Sequence, residues 1–210
     1  MTPDVFTEFF GQEKASAILR TDDADKAVLA MEAAIRGGFR IIEFTLTTPD
    51  VFELVRDFSC RDNLVVGTGT VMTAEQTRQS VEAGARFIVS PVVDETVIAA
   101  ANDLGVSSMP GTHTPTEMLK AHRAGAQLCK LFPCPHGGPD WVRSVLGPMP
   151  FLKIVPTNGV DHHNAGDWIA AGAFAAGFVA PLFQAVDMAA GNWDAIEERA
   201  RKCLAAVQEQ

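Results

Sequence analysis

The sequence predicts a closed (β/α)8 TIM barrel that forms a single domain over residues 1–210. Short, continuously apolar segments recur roughly every 20 to 24 residues, a helical pattern follows each of them, and no linker or low-complexity stretch interrupts the series. Apolar strands alternating with helices are typical of a parallel sheet covered by helices. Eight such units favour a closed barrel. A doubly wound open sheet is the alternative, but no GxGxxG follows the first strand to support a dinucleotide site.

The strands are predicted in order along the chain. An amphipathic segment at residues 5–14 comes first and predicts a short lead helix within residues 1–14. The strands that follow are apolar runs bounded by glycine, proline or polar residues. They span residues 15–20, 40–46, 64–71, 86–91, 106–111, 128–133, 151–157 and 174–179.

A helix is predicted after each strand because residues that cap helices follow the apolar runs. These signals are Thr21 and Asp22, the Thr-Pro-Asp at 48–50, Thr73, Asp94, the Thr-Pro at 114–115 and the His-His at 162–163. Glycines end the first and third of these helices, at Gly37–Gly38 and Gly84. A last helix is predicted over residues 193–207.

Composition excludes several classes of protein. The chain is 47% hydrophobic and 20% charged with a net charge of −9, which is ordinary for a globular domain. The absence of a basic run argues against binding to nucleic acid or to an anionic membrane surface. No apolar stretch reaches the roughly 20 residues of a membrane helix, and no signal-peptide core is visible. We therefore expect a cytoplasmic protein, with its scattered cysteines as reduced thiols.

Polar residues at the carboxyl ends of the strands are the candidates for a functional site, because that end of a barrel carries the active site. Two strands carry such residues in their interior: Glu43 and Thr45 share one face of the second strand by period-two alternation, and Lys130 lies within the sixth. The other candidates at strand ends are Arg20, Thr70, Pro91, Thr157, Asn158, Gly159 and Gly177.

Lys130 lies in the apolar run QLCKLFP at residues 127–133. Burial lowers the pKa of a lysine, and a lysine amine with a lowered pKa is the nucleophile of Schiff-base enzymes. Glu43 would then transfer protons, and the reaction would require no metal or cofactor. A buried Lys130–Glu43 ion pair that only supports the fold is the alternative. Lys153, in the seventh strand, is a rival nucleophile that the residues alone barely distinguish from Lys130.

Several short motifs occur in order at the predicted strand ends. They are IEFTL at 42–46, VGTGTV at 66–71, FIVSP at 87–91, MPGTHTPTE at 109–117, KLFP at 130–133 and PTNGV at 156–160. Together they resemble the 2-keto-3-deoxy-6-phosphogluconate aldolase family, which includes 4-hydroxy-2-oxoglutarate and phosphogalactonate aldolases. The similarity covers residues 17–183. It implies a class I aldolase on a (β/α)8 barrel, a homotrimer, and release of pyruvate from a lysine Schiff base.

The resemblance also implies roles for single residues. Lys130 matches the Schiff-base lysine, which favours it over Lys153, and Glu43 matches the acid–base glutamate. Thr70 matches the threonine that holds the pyruvate carboxylate, and Arg20 matches an arginine found at the end of the first strand in many members. Two further positions match residues that form the walls of the pocket, Pro91 and Phe132.

The sequence departs from the family where members bind phosphate. Thr47 stands where some members have an arginine, and Asn158 replaces the first glycine of the loop after strand seven. At the end of strand eight, Phe178 and Val179 replace a glycine and a serine, so Phe178 is expected to add bulk at the substrate site. A tight anion site depends on close approach of the backbone, and these changes weaken the expectation that phosphate is bound.

The expected activity is cleavage of a 2-keto-3-deoxy sugar acid, phosphorylated or not, or of 4-hydroxy-2-oxoglutarate, to pyruvate and an aldehyde. Two alternatives are a barrel isomerase or synthase acting on a phosphorylated metabolite and a non-catalytic binding module. The isomerase or synthase would form no imine with pyruvate, and the effect of pyruvate on the melting temperature is the check on the binding module.

Overall fold

The computed structural model describes residues 1–209 and shows eight parallel strands alternating with helices in a nearly closed barrel. The strands are β1 (Ala15–Leu19), β2 (Ile41–Thr45), β3 (Val65–Gly69), β4 (Phe87–Ser90), β5 (Ser107–Thr112), β6 (Cys129–Leu131), β7 (Ile154–Pro156) and β8 (Ala176–Phe178). Each strand lies within or close to the segment that the sequence predicts. The single-domain (β/α)8 barrel is confirmed.

The helices complete the alternation. They are α1 (Pro3–Glu13), α2 (Ala24–Arg36), α3 (Val51–Ser59), α4 (Ala74–Glu82), α5 (Glu95–Asp103), α6 (Pro115–Arg123), α7 (Pro139–Leu146), α8 (Ala165–Ala170), α9 (Ala185–Ala190) and α10 (Trp193–Gln208). In the part of the chain that the structure describes, no helix has both the length and the apolar character needed to cross a membrane.

The barrel closes between its first and last strands. Neighbours pair in sequence from β1 to β7, and β8 pairs with β1 in parallel, with Ala15 opposite Ala176. The remaining seam, between β7 and β8, is bridged just beyond β7 by Thr157 and Gly177. The carboxyl ends of the strands therefore surround one opening.

Three local details differ from the sequence prediction. Asp23, one residue after the predicted caps Thr21 and Asp22, caps α2: its carboxylate accepts a hydrogen bond from the Lys26 N–H at 3.0 Å. The histidine pair 162–163 lies in a turn, because α8 begins only after Asn164. Helix α9 was not predicted, since six residues are too few to show an apolar periodicity.

Helix α1 covers the amino-terminal end of the barrel. Its Phe6 and Phe10 are fully buried, and the Phe6 ring stacks on Phe87 with 4.8 Å between ring centroids. Buried side chains from five strands, and from the residues just before β6 and β8, pack with them: Ile41, Val65, Phe87, Val89, Met109, Leu128, Val155 and Ala175. The interior is a packed apolar core at this end, so a cavity can open only at the other end.

Candidate active site

The interior becomes polar toward the carboxyl ends of the strands. On β2 the inward positions run from Ile41 to Glu43 to Thr45, and the same period-two alternation leads from Leu128 to Lys130 near β6. The apolar layer below is therefore followed by a layer that contains a carboxylate and an amine.

Lys130 occupies the middle of β6 and is 9% exposed. Its carbonyl accepts a hydrogen bond from the Thr112 hydroxyl at 2.9 Å, which fixes β6 against β5. Its Nζ lies 5.3 Å from the centroid of the Phe132 ring. Burial lowers the pKa of Lys130, a shift that the Glu43 carboxylate opposes and the Arg20 guanidinium reinforces. The amine is thus easier to deprotonate than an exposed lysine.

Glu43 is fully buried on β2, and no group in residues 1–209 forms a hydrogen bond with either of its carboxylate oxygens. Burial raises the pKa of Glu43, while the charges of Lys130 and Arg20 lower it. The Glu43 carboxyl group fits against β3 because Gly69 has no side chain: a Cβ atom there would lie 1.8 Å from the Glu43 Oε1. A buried carboxyl with a raised pKa, beside an amine with a lowered one, is suited to proton transfer.

Arg20 and Thr70 meet across the opening. The Arg20 Nη2 donates to the Thr70 hydroxyl at 3.2 Å, joining the ends of β1 and β3. Thr70 has a φ of 62°, which is uncommon for any residue other than glycine. Such a conformation persists where the surrounding structure holds the backbone in place. A guanidinium next to a hydroxyl is a suitable site for a carboxylate.

These residues line a cavity of about 220 Å³ at the carboxyl ends of the strands. Its lining is Ile18, Arg20, Thr45, Thr70, Pro91, Lys130, Phe132, Thr157, Asn158 and Val179. Eight of these ten residues are sequence-predicted site residues. Ile18 is an apolar residue without a chemical signature, and only its position two residues before Arg20 on β1 could have indicated it.

Other predicted site residues lie outside this lining. Thr47 is exposed, and its hydroxyl pairs with that of Thr45 at 2.9 Å. Gly159 is exposed with a φ of 86°. Gly177 faces the cavity wall, because a Cβ there would lie 2.7 Å from the Thr157 hydroxyl and 2.9 Å from Ile18.

The prediction that Phe178 adds bulk at the substrate site is wrong. Its side chain is fully buried between the outer face of the barrel and the surrounding helices, with its ring centroid 5.8 Å from that of Phe39. Since Gly177 faces the interior, alternation along β8 turns Phe178 away from it. Val179 is the changed residue that reaches the cavity.

The rival Lys153 lies at the opposite end of the barrel. It precedes β7, and its Nζ is 6.0 Å from the centroid of the Phe174 ring, which contacts Phe10 of the α1 core edge-on. Lys153 is therefore remote from the cavity. His113 lies in a loop at the carboxyl ends of the strands, where its Nδ1 is 2.9 Å from the Pro133 carbonyl, but it does not line the cavity.

A sequence model of the KDPG and KHG aldolase family matches residues 8–199. The chain belongs to this family. A probable 2-dehydro-3-deoxy-6-phosphogalactonate aldolase of Rhizobium meliloti is 35% identical over 193 residues, which cover 90% of this chain and 89% of that protein. A 2-dehydro-3-deoxy-phosphogluconate aldolase of Pseudomonas aeruginosa is 32% identical over 188 residues, covering 88% and 85%.

Solved structures of KDPG and KHG aldolases have the same fold as this chain. One described as the native KDPGal structure is 29% identical, has a TM-score of 0.83, and covers 93% of this chain and 94% of its own. The two curated relatives have different sugar acids in their names, so family membership leaves the aldehyde half of the substrate open.

Proposed function

We propose that this aldolase cleaves a 2-keto-3-deoxy sugar acid or 4-hydroxy-2-oxoglutarate to pyruvate and an aldehyde, with Lys130 as the Schiff-base nucleophile. The observation that supports this most is the Lys130 amine, buried at the base of a cavity that also has Arg20 and Thr70 in its wall. The rival lysine, Lys153, does not reach that cavity.

The proposed reaction uses these positions. The neutral Lys130 amine attacks the C2 ketone, and loss of water from the carbinolamine gives an iminium ion. The iminium accepts the electron pair of the C3–C4 bond as that bond breaks, which releases the aldehyde and leaves an enamine. Protonation at C3 and hydrolysis then return pyruvate and free Lys130.

Glu43 is the proposed acid–base group. It shares a buried layer with Lys130, and because burial raises its pKa it takes up a proton more readily than an exposed carboxylate does. Its oxygens do not line the cavity directly, so transfer through a water molecule fits its position. Arg20 and Thr70 are proposed to hold the substrate carboxylate.

Reductive trapping tests the nucleophile. Incubation with pyruvate and borohydride should add a stable adduct to Lys130, which peptide mass spectrometry locates. Lys130→Met should abolish the adduct, and Lys153→Met, the matched control, should retain it. An adduct on Lys153, or none in the wild-type protein, would refute the assignment.

The family resemblance supports a proposal for the assembly, and the composition supports one for the location. We propose a cytoplasmic homotrimer that binds a small keto acid and neither nucleic acid nor membrane. Sedimentation equilibrium tests the assembly, with three times 22.5 kDa as the expected mass. Cell fractionation tests the location.

A further inference from the structure

A second cavity of about 470 Å³ opens beside the catalytic cavity. It lies between the segment after β1 and helix α9, and it shares Ile18, Arg20 and Val179 with the catalytic cavity, so the two are contiguous. The remaining lining residues are Thr21, Asp22, Lys26, Ala180, Phe183, Ala185, Met188 and Ala189.

The sizes of the two cavities indicate how a substrate is divided between them. The catalytic cavity, at about 220 Å³, is smaller than the ~300–1,000 Å³ typical of small-molecule sites. It suits the pyruvate half, which must stay next to Lys130. The aldehyde half extends away from that amine, and the adjoining cavity provides space for it.

The second cavity has little net positive charge for a phosphate. Arg20 and Lys26 are the cations in the lining that the structure describes, and Asp22 lines the same space. Lys26 is paired with Asp23 at 3.7 Å, while Arg20 donates to Thr70 on the side of the catalytic cavity. Within the lining the two cations are offset by the Asp22 carboxylate, and Asp23 beside it pairs with Lys26, so the transfer of a doubly charged phosphate from water would be only partly compensated.

The wall opposite these charges is apolar. Phe183, Ala185, Met188 and Ala189 form it, together with Val179 at the junction. The segment that carries them is held by a partly buried ion pair between Asp187 and Arg199, and Arg199 also donates to the Leu182 carbonyl at 2.6 Å. A fixed apolar wall favours contact with carbon and excludes a strongly hydrated group.

We propose that this second cavity is the subsite for the distal part of the aldehyde, and that it selects a neutral chain with an alkyl end over a chain that ends in phosphate. The inference rests on the proposed function and specifies its substrate: a 2-keto-4-hydroxy acid with an uncharged, partly apolar tail. On cleavage the C3–C4 electron pair moves into the enamine, and the C4 hydroxyl loses its proton to become the aldehyde carbonyl. The preference separates this chain from relatives whose names include phosphate.

Aldol addition to pyruvate measures this preference directly. Lactaldehyde and glyceraldehyde 3-phosphate differ only at C3, which is a methyl group in lactaldehyde and carries a phosphate ester in glyceraldehyde 3-phosphate. We expect kcat/KM to be about tenfold or more higher for lactaldehyde, a discrimination within the range of a hydrophobic pocket. Butanal should also be accepted. A higher kcat/KM for glyceraldehyde 3-phosphate would overturn the inference.

Filling the cavity tests where the aldehyde lies. Ala189 lines the cavity from α9, whereas Val186 on the same helix is 69% exposed and does not line it. Ala189→Phe should lower the ratio of kcat/KM for butanal to that for glyoxylate, a short aldehyde, by about tenfold. Val186→Phe should keep the wild-type ratio. Equal ratios in the two variants would overturn the inference.

Borohydride trapping separates the two proposals. A pyruvate adduct on Lys130 together with a preference for phosphate would overturn the subsite alone. The absence of an adduct would overturn the proposed function and the subsite with it.

Discussion

Lys130 and Glu43 influence each other's protonation inside the barrel. Burial favours the neutral form of both groups, so it lowers the pKa of Lys130 and raises that of Glu43. Their mutual attraction acts in the opposite direction on each. Arg20 adds a positive charge that disfavours the charged form of Lys130 and favours the charged form of Glu43. Three residues thus set the pH at which the amine can attack a ketone.

Charge removal at Glu43 and Arg20 should shift the pH profile in opposite directions. The Glu43 charge raises the pKa of Lys130, so Glu43→Gln lowers it and moves the midpoint of imine formation to lower pH. Arg20 lowers that pKa, so Arg20→Gln moves the midpoint to higher pH. Rapid-quench trapping with pyruvate across pH measures both, and shifts of the same sign would contradict this electrostatic account. Glu43→Gln should also reduce turnover by roughly 10²–10⁴-fold.

Gly69 is expected to be needed for the position of Glu43. In Gly69→Ala the new Cβ would lie 1.8 Å from Oε1, so the carboxyl group must move. A displacement of about 1 Å can cost 10²-fold in rate, and we expect kcat to fall by about that factor. Gly147→Ala is the control, because its Cβ would have ordinary contacts at 3.6 and 3.8 Å. Normal kcat in a folded Gly69→Ala protein would show that Glu43 has freedom of movement.

Among secondary-structure elements, α9 depends on α10 for its position. It has six residues and no side-chain cap at its start, and it is followed by Gly191, whose φ is 67°. Arg199 of α10 contacts both Asp187 within α9 and the Leu182 carbonyl before it. A helix this short has little stability of its own, so tertiary contacts must fix it.

Arg199→Met should therefore destabilise the protein. The Arg199 and Asp187 side chains are 13% and 12% exposed, and the substitution leaves the Asp187 carboxylate and the Leu182 carbonyl without this donor. We expect a loss of about 1.5–3 kcal/mol in the free energy of unfolding, measured in urea. Arg201→Met on the same helix breaks a pair whose arginine is 57% exposed, and solvent screening should leave the stability close to wild type. Equal losses would argue against a special role for Arg199.

At the scale of the whole molecule, the apolar layers and the polar cavity divide the barrel into a supporting end and a reactive end. The supporting end depends on Phe6 and Phe10, which α1 inserts among the inward side chains of the strands. Because this apolar packing fills the amino-terminal end of the barrel, the layer that contains Lys130 is open only toward the carboxyl ends of the strands.

Truncation of Phe6 tests the contribution of α1. Phe6→Ala should cost about 3–5 kcal/mol, because the ring is fully buried and stacks on Phe87. The adjacent control, Val5→Ala, removes a side chain that is 51% exposed and should have a small effect. Urea unfolding measures both variants, and a loss below 1 kcal/mol for Phe6→Ala would mean that α1 adds little to stability.

The barrel was predictable from sequence because every strand is a continuous apolar run, and alternation within β2 placed Glu43 and Thr45 on one face. Alternation also holds on β8, where Gly177 faces inward and Phe178 outward, but a resemblance of short motifs does not show which way a side chain points. The second cavity was not predictable. Its wall consists of apolar residues on a helix too short to show a period, and it forms only where β1 and α9 meet.

The position of α1 also affects the order in which the chain can fold. The ribosome releases α1 before the strands that it packs against, because the side chains that surround Phe6 and Phe10 come from segments as distant in sequence as Val155 and Ala175. During synthesis its aromatic side chains must therefore remain exposed until the barrel strands have been made. A helix made before its partners is thus among the last elements to reach its final contacts, and until then its exposed aromatic side chains can associate with other chains.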